Sequence, residues 1–454
     1  MHFLVTGGTG TVGTELGIHL TRLGHSITLL CRDVERTRVQ TPFPCQIIAY
    51  EKNQLQLDIA IDGVIHLAGQ PIADHRWTDD QKKKIIESRG PYAEKLIAEL
   101  KRQHRLPKLW IQASAIGFYA ESKPGEVLNE QSPKANGFLG DTCASWESPG
   151  LHLPENIRAV IFRFGVILAK RGGFLKKMLP LFKFGVGSAV GNGKQIISWV
   201  HLDDVVQAIV FAIEHEKIAG IYNVCAPETI TNQYFSQTLA KILNKSLLPN
   251  VPAFCLKLAY GPMSQVALNS QNVTSKKLEN SGFKFKYHAI SDALNQLIDF
   301  EKNPLEFEIF AREWLAHPRA KVFAFFCDET NLEKLTPEFL NFKVDKKSTK
   351  NIGKGTLIDY RLKIHGFPAR WKTLIDEWIP NEKFVDTQLK GPYSKWHHTH
   401  LFEDLAAGTL ITDRVVYKLP MNVLGLPGLP LVKNDVKNIF AYRKKIIGQV
   451  FVKN

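Results

Sequence analysis

The first thirteen residues constrain this chain more than any other stretch. Phe3 to Thr6 is a strand-like apolar run, and Thr6-Gly7-Gly8-Thr9-Gly10-Thr11-Val12-Gly13 follows it directly. Beyond it Val12, Leu16, Leu20 and Leu23 recur at helical spacing, so glycines 7, 10 and 13 fall between a strand and a helix. Each has a mechanical role. Gly7 permits the tight turn, Gly10 lets backbone approach a pyrophosphate, and Gly13 allows close helix packing. The anion then rests on free N–H groups at the helix N-terminus. Glycine-rich turns also serve packing alone, but here strand, helix and position agree on a dinucleotide site. Thr6, Gly7, Gly10, Thr11, Val12 and Gly13 are assigned to it.

About 20 residues further on, an acidic side chain would bond the ribose hydroxyls of NAD and a basic one would accept the 2′-phosphate of NADP. The second strand ends in Cys31-Arg32-Asp33. Arg32, whose planar guanidinium pairs with phosphate, favours NADP(H) over NAD(H). Asp33 keeps NAD open, and a surface Arg-Asp pair is the plain alternative. Leu67, Ala68 and Gly69 close a further strand with small residues suited to a passing nucleotide, while His66 before them reads as a core histidine.

Over the first 230 residues β-like runs alternate with helical periodicity, the pattern of a parallel sheet covered on both faces. The strand candidates are Phe3 to Thr6, Ile27 to Cys31, Gln46 to Tyr50, Gly63 to Leu67, Leu109 to Ala113, Ala159 to Phe164 and Tyr222 to Cys225. Residues 230–300 turn mostly helical, broken at Pro252 and Pro262, as a small substrate lobe would. The polar segment Glu301-Lys302-Asn303-Pro304 separates a first domain (1–303) from a second (305–454). There Thr356, Ile358, Tyr360, Leu362 and Ile364 alternate with Leu357, Asp359, Arg361, Lys363 and His365, a strand with one buried face. Val432, Val436, Ile439, Arg443 and Ile447 trace one face of a final helix.

With 44% hydrophobic and 22% charged residues among 454, the chain can bury large cores. Six scattered cysteines form no C-x-x-C pair or zinc cluster, which fits a reduced, cytoplasmic setting. The first strand starts at the N-terminus, leaving no room for a signal peptide. No apolar run nears the roughly 20 residues of a membrane span. The net charge of +14 is spread over short lysine runs with no recognisable nucleic-acid module, so no nucleic-acid partner is expected.

The glycine loop, the His66-Leu67-Ala68-Gly69 turn and Ser114 after a strand resemble the extended short-chain dehydrogenase/reductases, the NAD-dependent epimerase/dehydratase superfamily. The runs Ala68 to Trp77, Ser114 to Tyr119 and Ser198 to Asp204 are similar to that superfamily's poorly characterised epimerase-family proteins, over roughly residues 1–300. The resemblance implies a helix-borne Tyr-x-x-x-Lys pair as acid and base. Counting back from Glu147, the tyrosine slot holds Leu139 and the lysine slot Cys143. The literal Tyr119/Lys123 pair follows Ser114 too closely to replace them, although Tyr119 is kept as a candidate facing the nicotinamide. Ser114 stands where the superfamily serine bonds a substrate oxygen. Arg76, Trp77, Arg163 and His201 are pocket candidates, with a surface anchor, a buried ion pair and a helix start as their plain alternatives. Cys143 reads as a redox or acid group, or as an inert helix cysteine.

Residues 305–454 resemble the START-like, polyketide cyclase-like helix-grip domains in the order strand, two helices, antiparallel strands, long helix. That implies an apolar cavity for a lipid, quinone or polyketide, with Trp371, Trp378, Tyr393 and Trp396 as candidate walls. His398 and His400 share a strand face as metal ligands would, but no carboxylate or cysteine completes a set in sequence, so no metal is assigned. Asp413-Arg414 reads as a sheet ion pair. The expected architecture is therefore α/β: a Rossmann-type doubly wound parallel sheet with a small helical lobe, followed by an α+β helix-grip domain. The expected function is that of an NADP(H)-dependent oxidoreductase or epimerase-like enzyme acting on a small molecule, with an apolar ligand in the second domain. A non-catalytic NADP(H) sensor and a nucleotide-sugar epimerase are the alternatives. Substrate and oligomeric state stay open.

Overall fold

The computed structural model describes residues 1–50, 55–298 and 303–452. The chain divides into two compact units, one of Met1–Gln40 with Cys45–Lys302 and the other of Thr41–Pro44 with Asn303–Asn454. Phe300, Glu301 and Lys302, at which the sequence pattern ends the lobe and places the linker, lie outside the described residues.

In the first unit β1 (His2–Thr6), β2 (Ser26–Cys31), β3 (Gln46–Ala49), β4 (Gly63–His66), β5 (Leu109–Ala115), β6 (Arg158–Phe164) and β7 (Gly220–Val224) form one sheet in the order β7-β6-β5-β4-β1-β2-β3. Every pairing is parallel. The order in which strands are added reverses between β1 and β4, the switch point beside which open α/β sheets bind ligands. The central strands read as continuous apolar runs because both faces are covered: all of β4, and β5 except Ala115, is buried. Helix α1 (Thr11–Arg22) packs Gly13, Leu16, Gly17 and Leu20 inward, whereas Leu23, expected on that face, caps the helix and is exposed. Four further helices matter for the site or its surroundings: α2 (Val34–Gln40), α3 (Asp79–Glu87), α4 (Gly90–Arg102) and α5 (Phe138–Leu151). The lobe is mostly helical, and one of its helices, Ala253–Tyr260, starts directly after Pro252 and ends before Pro262.

In the second unit β8 (Glu306–Leu315), β9 (Lys343–Lys347), β10 (Leu357–Ile364), β11 (Phe367–Ile379), β12 (Lys383–Lys390), β13 (Lys395–Leu405) and β14 (Gly408–Lys418) form an antiparallel sheet ordered β8-β14-β13-β12-β11-β10-β9. The long helix Leu429–Val452 follows it. Ile358, Tyr360 and Leu362 of β10 are buried while Arg361 and Lys363 are exposed, the alternation expected of a strand with one wet face. On the helix Val436 and Ile447 are buried. Ile447 and Phe451 join Phe323, Phe384, Phe402 and Ile411 in a core shared by helix and sheet.

Candidate functional site

A cleft of about 720 Å³ opens at the carboxyl ends of β1, β2 and β4. Its floor is the glycine loop. Gly7 has φ +73°, and a Cβ there would stand 2.7 Å from the Leu67 carbonyl carbon, so only glycine fits. A Cβ on Gly13 would meet the Gly7 oxygen at 2.3 Å, which is how closely α1 is seated on the loop. Gly10 caps α1 without a side chain; Gly7, Gly8, Thr9 and Gly10 line the cleft, and Thr11, Val12 and Gly13 form the first turn of α1 behind them. The Thr6 hydroxyl bonds His66 Nδ1 at 2.8 Å and tethers the Ala68 N–H at 3.3 Å, joining this loop to the Leu67-Ala68-Gly69 wall. His66 itself is buried, and burial lowers it to about 3, as befits a neutral core histidine.

At the other end of the cleft stand Arg32, Asp33 and Arg36. Asp33 Oδ1 accepts the Arg36 backbone N–H at 2.9 Å, and its carbonyl accepts that of Thr37 at 3.0 Å, starting α2. One oxygen of the acidic side chain caps the helix, and two guanidiniums, Arg32 and Arg36, line this end of the cleft beside it. Arg36 was not singled out from the sequence, although it sits one turn beyond Arg32. Nor was Arg89. It is 7% exposed, donates to the Gln70 and Ile85 carbonyls at 3.0 and 2.8 Å, and lies over Trp146 beneath the Gly69 turn. No glycine pattern or spacing announces a cation held by carbonyl oxygens.

Ser114, Tyr119 and Arg163 come together, but in a closed network rather than on the cleft wall. The Ser114 hydroxyl donates to Glu147 Oε1 at 2.6 Å, and Arg163 pairs with both Glu147 oxygens at 2.8 and 2.6 Å. Arg163 also donates to the Tyr119 hydroxyl at 2.9 Å and lies 3.4 Å from the Phe118 ring centre. Tyr119 donates to Asn223 Oδ1 at 2.7 Å. The Ser114, Tyr119, Glu147, Arg163 and Asn223 side chains are all buried, and burial pushes the Tyr119 phenol up to about 12 despite Arg163 beside it. In this arrangement Tyr119 is hydrogen-bonded to Asn223, and Arg163 forms a buried ion pair, the plainer of its two expected roles. On α5, Leu139 packs in a cluster with Trp77, Ile85 and Met263. Cys143 is buried and driven up to about 12 by desolvation and by Glu147, the inert form of that cysteine.

The remaining pocket candidates hold loops in place. Trp77 is buried and donates to the Ile72 carbonyl at 2.7 Å, while Arg76 reaches the Ala259 carbonyl of the lobe at 2.5 Å. His201 caps the helix Leu202–Glu214, accepting the Asp203 N–H at 3.0 Å, with its other nitrogen 3.1 Å from Gln296 and its ring on Tyr287.

The second unit holds a cavity of about 230 Å³ whose lining includes Trp371, Trp378, Tyr393 and Trp396 as expected. At one end, cross-strand pairing sets Asp386 of β12 opposite His398 of β13, and His400 opposite Asp413 of β14. Asp386 Oδ2 lies 3.4 Å from His398 Nδ1 and 3.2 Å from His400 Nε2. Asp413 Oδ1 lies 3.3 Å from His398 Nε2 and 2.6 Å from His400 Nδ1. Arg443 approaches Asp413 at 3.7 Å. The Asp413-Arg414 pair read from the sequence is therefore corrected: adjacent strand residues face opposite ways, and Arg414 pairs with Glu308 at 2.6 Å instead. Both carboxylates come from neighbouring strands, so only the register of the sheet reveals them.

The profile of the "NAD dependent epimerase/dehydratase family" matches residues 3–225. A "Domain of unknown function (DUF1731)" matches 251–297, and "Polyketide cyclase / dehydrase and lipid transport" matches 315–441. The epimerase family protein YfhF of Bacillus subtilis is 35% identical over 299 residues, 66% of this chain and 98% of that protein. A chloroplastic epimerase family protein of Arabidopsis thaliana, a homologue of SDR39U1, is 32% identical over 65% of this chain and 86% of its own length. The crystal structure of the human epimerase family protein SDR39U1 (isoform 2) with NADPH superimposes with a TM-score of 0.61 at 27% identity, covering 66% of this chain and 99% of that one.

Proposed function

Since this chain belongs to the epimerase family of extended short-chain dehydrogenase/reductases, with a polyketide cyclase-like domain at its C-terminal end, we propose that it binds NADP(H) in preference to NAD(H) and acts as an oxidoreductase or epimerase-like enzyme on a small molecule. The observation that carries the cofactor preference is the commitment of Asp33 to the α2 cap while Arg32 and Arg36 line the same end of the cleft. A 2′-phosphate there would meet two guanidiniums, with Asp33 drawn by one oxygen toward the start of α2. The NADPH in the human relative supports the same reading. The second unit would take an apolar molecule in its aromatic cavity, as substrate or as effector.

Calorimetric titration of the whole chain tests the preference. NADPH should bind more tightly than NADH, and Arg32→Ala and Arg36→Ala should each weaken NADPH roughly 10- to 150-fold, the worth of one charge-assisted bond. Binding of NADH should change little. Equal affinity for the two nucleotides, or variants that lose both alike, would overturn the assignment.

A second reading, a non-catalytic NADP(H) sensor, is favoured by Leu139 and Cys143 in the acid-base slots and by the closed network around Ser114 and Tyr119. Oxidation of bound NADPH by any of a wide panel of carbonyl compounds would exclude it. Complete inertness would count heavily against the oxidoreductase reading.

A further inference from the structure

We propose that Asp386, His398 and His400 form a binding site for one divalent transition-metal ion of the Zn²⁺ class at the polar end of the second unit's cavity. Each offers one ligand atom, and the three atoms lie within 4.8 Å of one another. The two spacings from Asp386 are those of a coordination polyhedron. In a tetrahedral zinc site with bonds near 2.0–2.1 Å, ligand atoms stand about 3.3 Å apart. Asp386 Oδ2 is 3.4 Å from His398 Nδ1 and 3.2 Å from His400 Nε2.

The surroundings are built for the same purpose. A ligating imidazole is held by a hydrogen bond from its other nitrogen, most often to a carboxylate. Here both outer nitrogens face one oxygen, Asp413 Oδ1, at 3.3 and 2.6 Å, and Arg443 steadies that carboxylate from the C-terminal helix at 3.7 Å.

The site is deep but not sealed. His398 and His400 are 6% and 4% exposed, and all three ligands line the cavity. Three protein ligands leave the remaining position of a four-coordinate ion for water or for an oxygen of the bound molecule, the arrangement of open rather than structural zinc sites. The class of ligand that fits is an apolar body, matched by Trp371, Phe384, Tyr393, Trp396 and Phe440, carrying one carbonyl, carboxylate or hydroxyl oxygen. This proposal does not depend on turnover in the first unit.

The test uses the full chain, stripped with chelator and dialysed against Zn²⁺ and, separately, Co²⁺. A single tightly held equivalent is expected, with the intense visible bands of four-coordinate Co²⁺. His400→Gln and Asp386→Asn should lose it, and His365→Ala, a variant of another cavity histidine, should keep it. X-ray absorption at the zinc edge of the unsubstituted chain should count two imidazole ligands, a result that stands even if a variant fails to fold. No retained metal, a metal kept by both ligand variants, or an edge spectrum without imidazole would overturn the site.

Discussion

Glu147 receives two of the residues that the sequence placed at a substrate: the Ser114 hydroxyl and the Arg163 guanidinium converge on its two oxygens. Arg163 and Glu147 side chains are each 2% exposed, so the pair has given up its hydration, and what holds it is geometry. Replacing Arg163 by Leu strands a buried carboxylate and should cost about 3–5 kcal/mol. Ser114→Ala leaves Glu147 paired and should cost about 1–3 kcal/mol. Denaturant unfolding of the first unit measures both. An Arg163→Leu chain as stable as the original would mean that desolvation cancels the pair. The motif around Ser114 was legible in the sequence because it is local. Its partner Glu147, 33 residues away, served there only as a counting mark, since nothing in spacing says that two strands and a helix will bring the three together.

At the scale of elements, α2 shows how a short helix can set cofactor choice. It runs only from Val34 to Gln40, too short to be stable by propensity alone, and the Asp33 cap and the Glu35–Arg38 ion pair are local supports. Asp33→Ala should cost about 1 kcal/mol of local stability and loosen the position of Arg36. NADPH affinity should therefore fall while NADH affinity holds, whereas Asp33→Asn, which keeps an acceptor, should leave both unchanged. If Asp33→Ala instead strengthens NADH binding alone, the aspartate acts on the ribose side and not through the helix. The strands were readable for a simpler reason. Buried parallel strands are continuous apolar runs, and the half-buried β10 alternates. The end of α1 was misjudged at Leu23 because an apolar residue at a helix C-cap continues the periodicity while the backbone has already left the helix.

At the scale of the molecule each unit has its own buried core and its own cavity among the described residues. A single two-state transition is not expected of such a chain. Differential scanning calorimetry should resolve two transitions. NADPH at a hundred times its Kd should stabilise one of them by about 2.7 kcal/mol, and Zn²⁺ should raise the other. One transition moved by both ligands would show the units to be energetically fused.

What the sequence by itself determined is what local pattern encodes: the glycine loop, the strand and helix periods, the order of elements in both units, and the gap where the superfamily's tyrosine and lysine would stand. These depend on neighbours within a few residues along the chain. The tertiary structure alone decided the roles of side chains. It committed Asp33 to a helix cap, closed Tyr119 onto Asn223, set Arg89 beneath the cleft, and brought Asp386 and Asp413 to either side of His398 and His400. Most of those contacts join residues far apart in sequence through sheet register and helix docking, and the burial that fixes their charge and protonation exists only once the chain has folded.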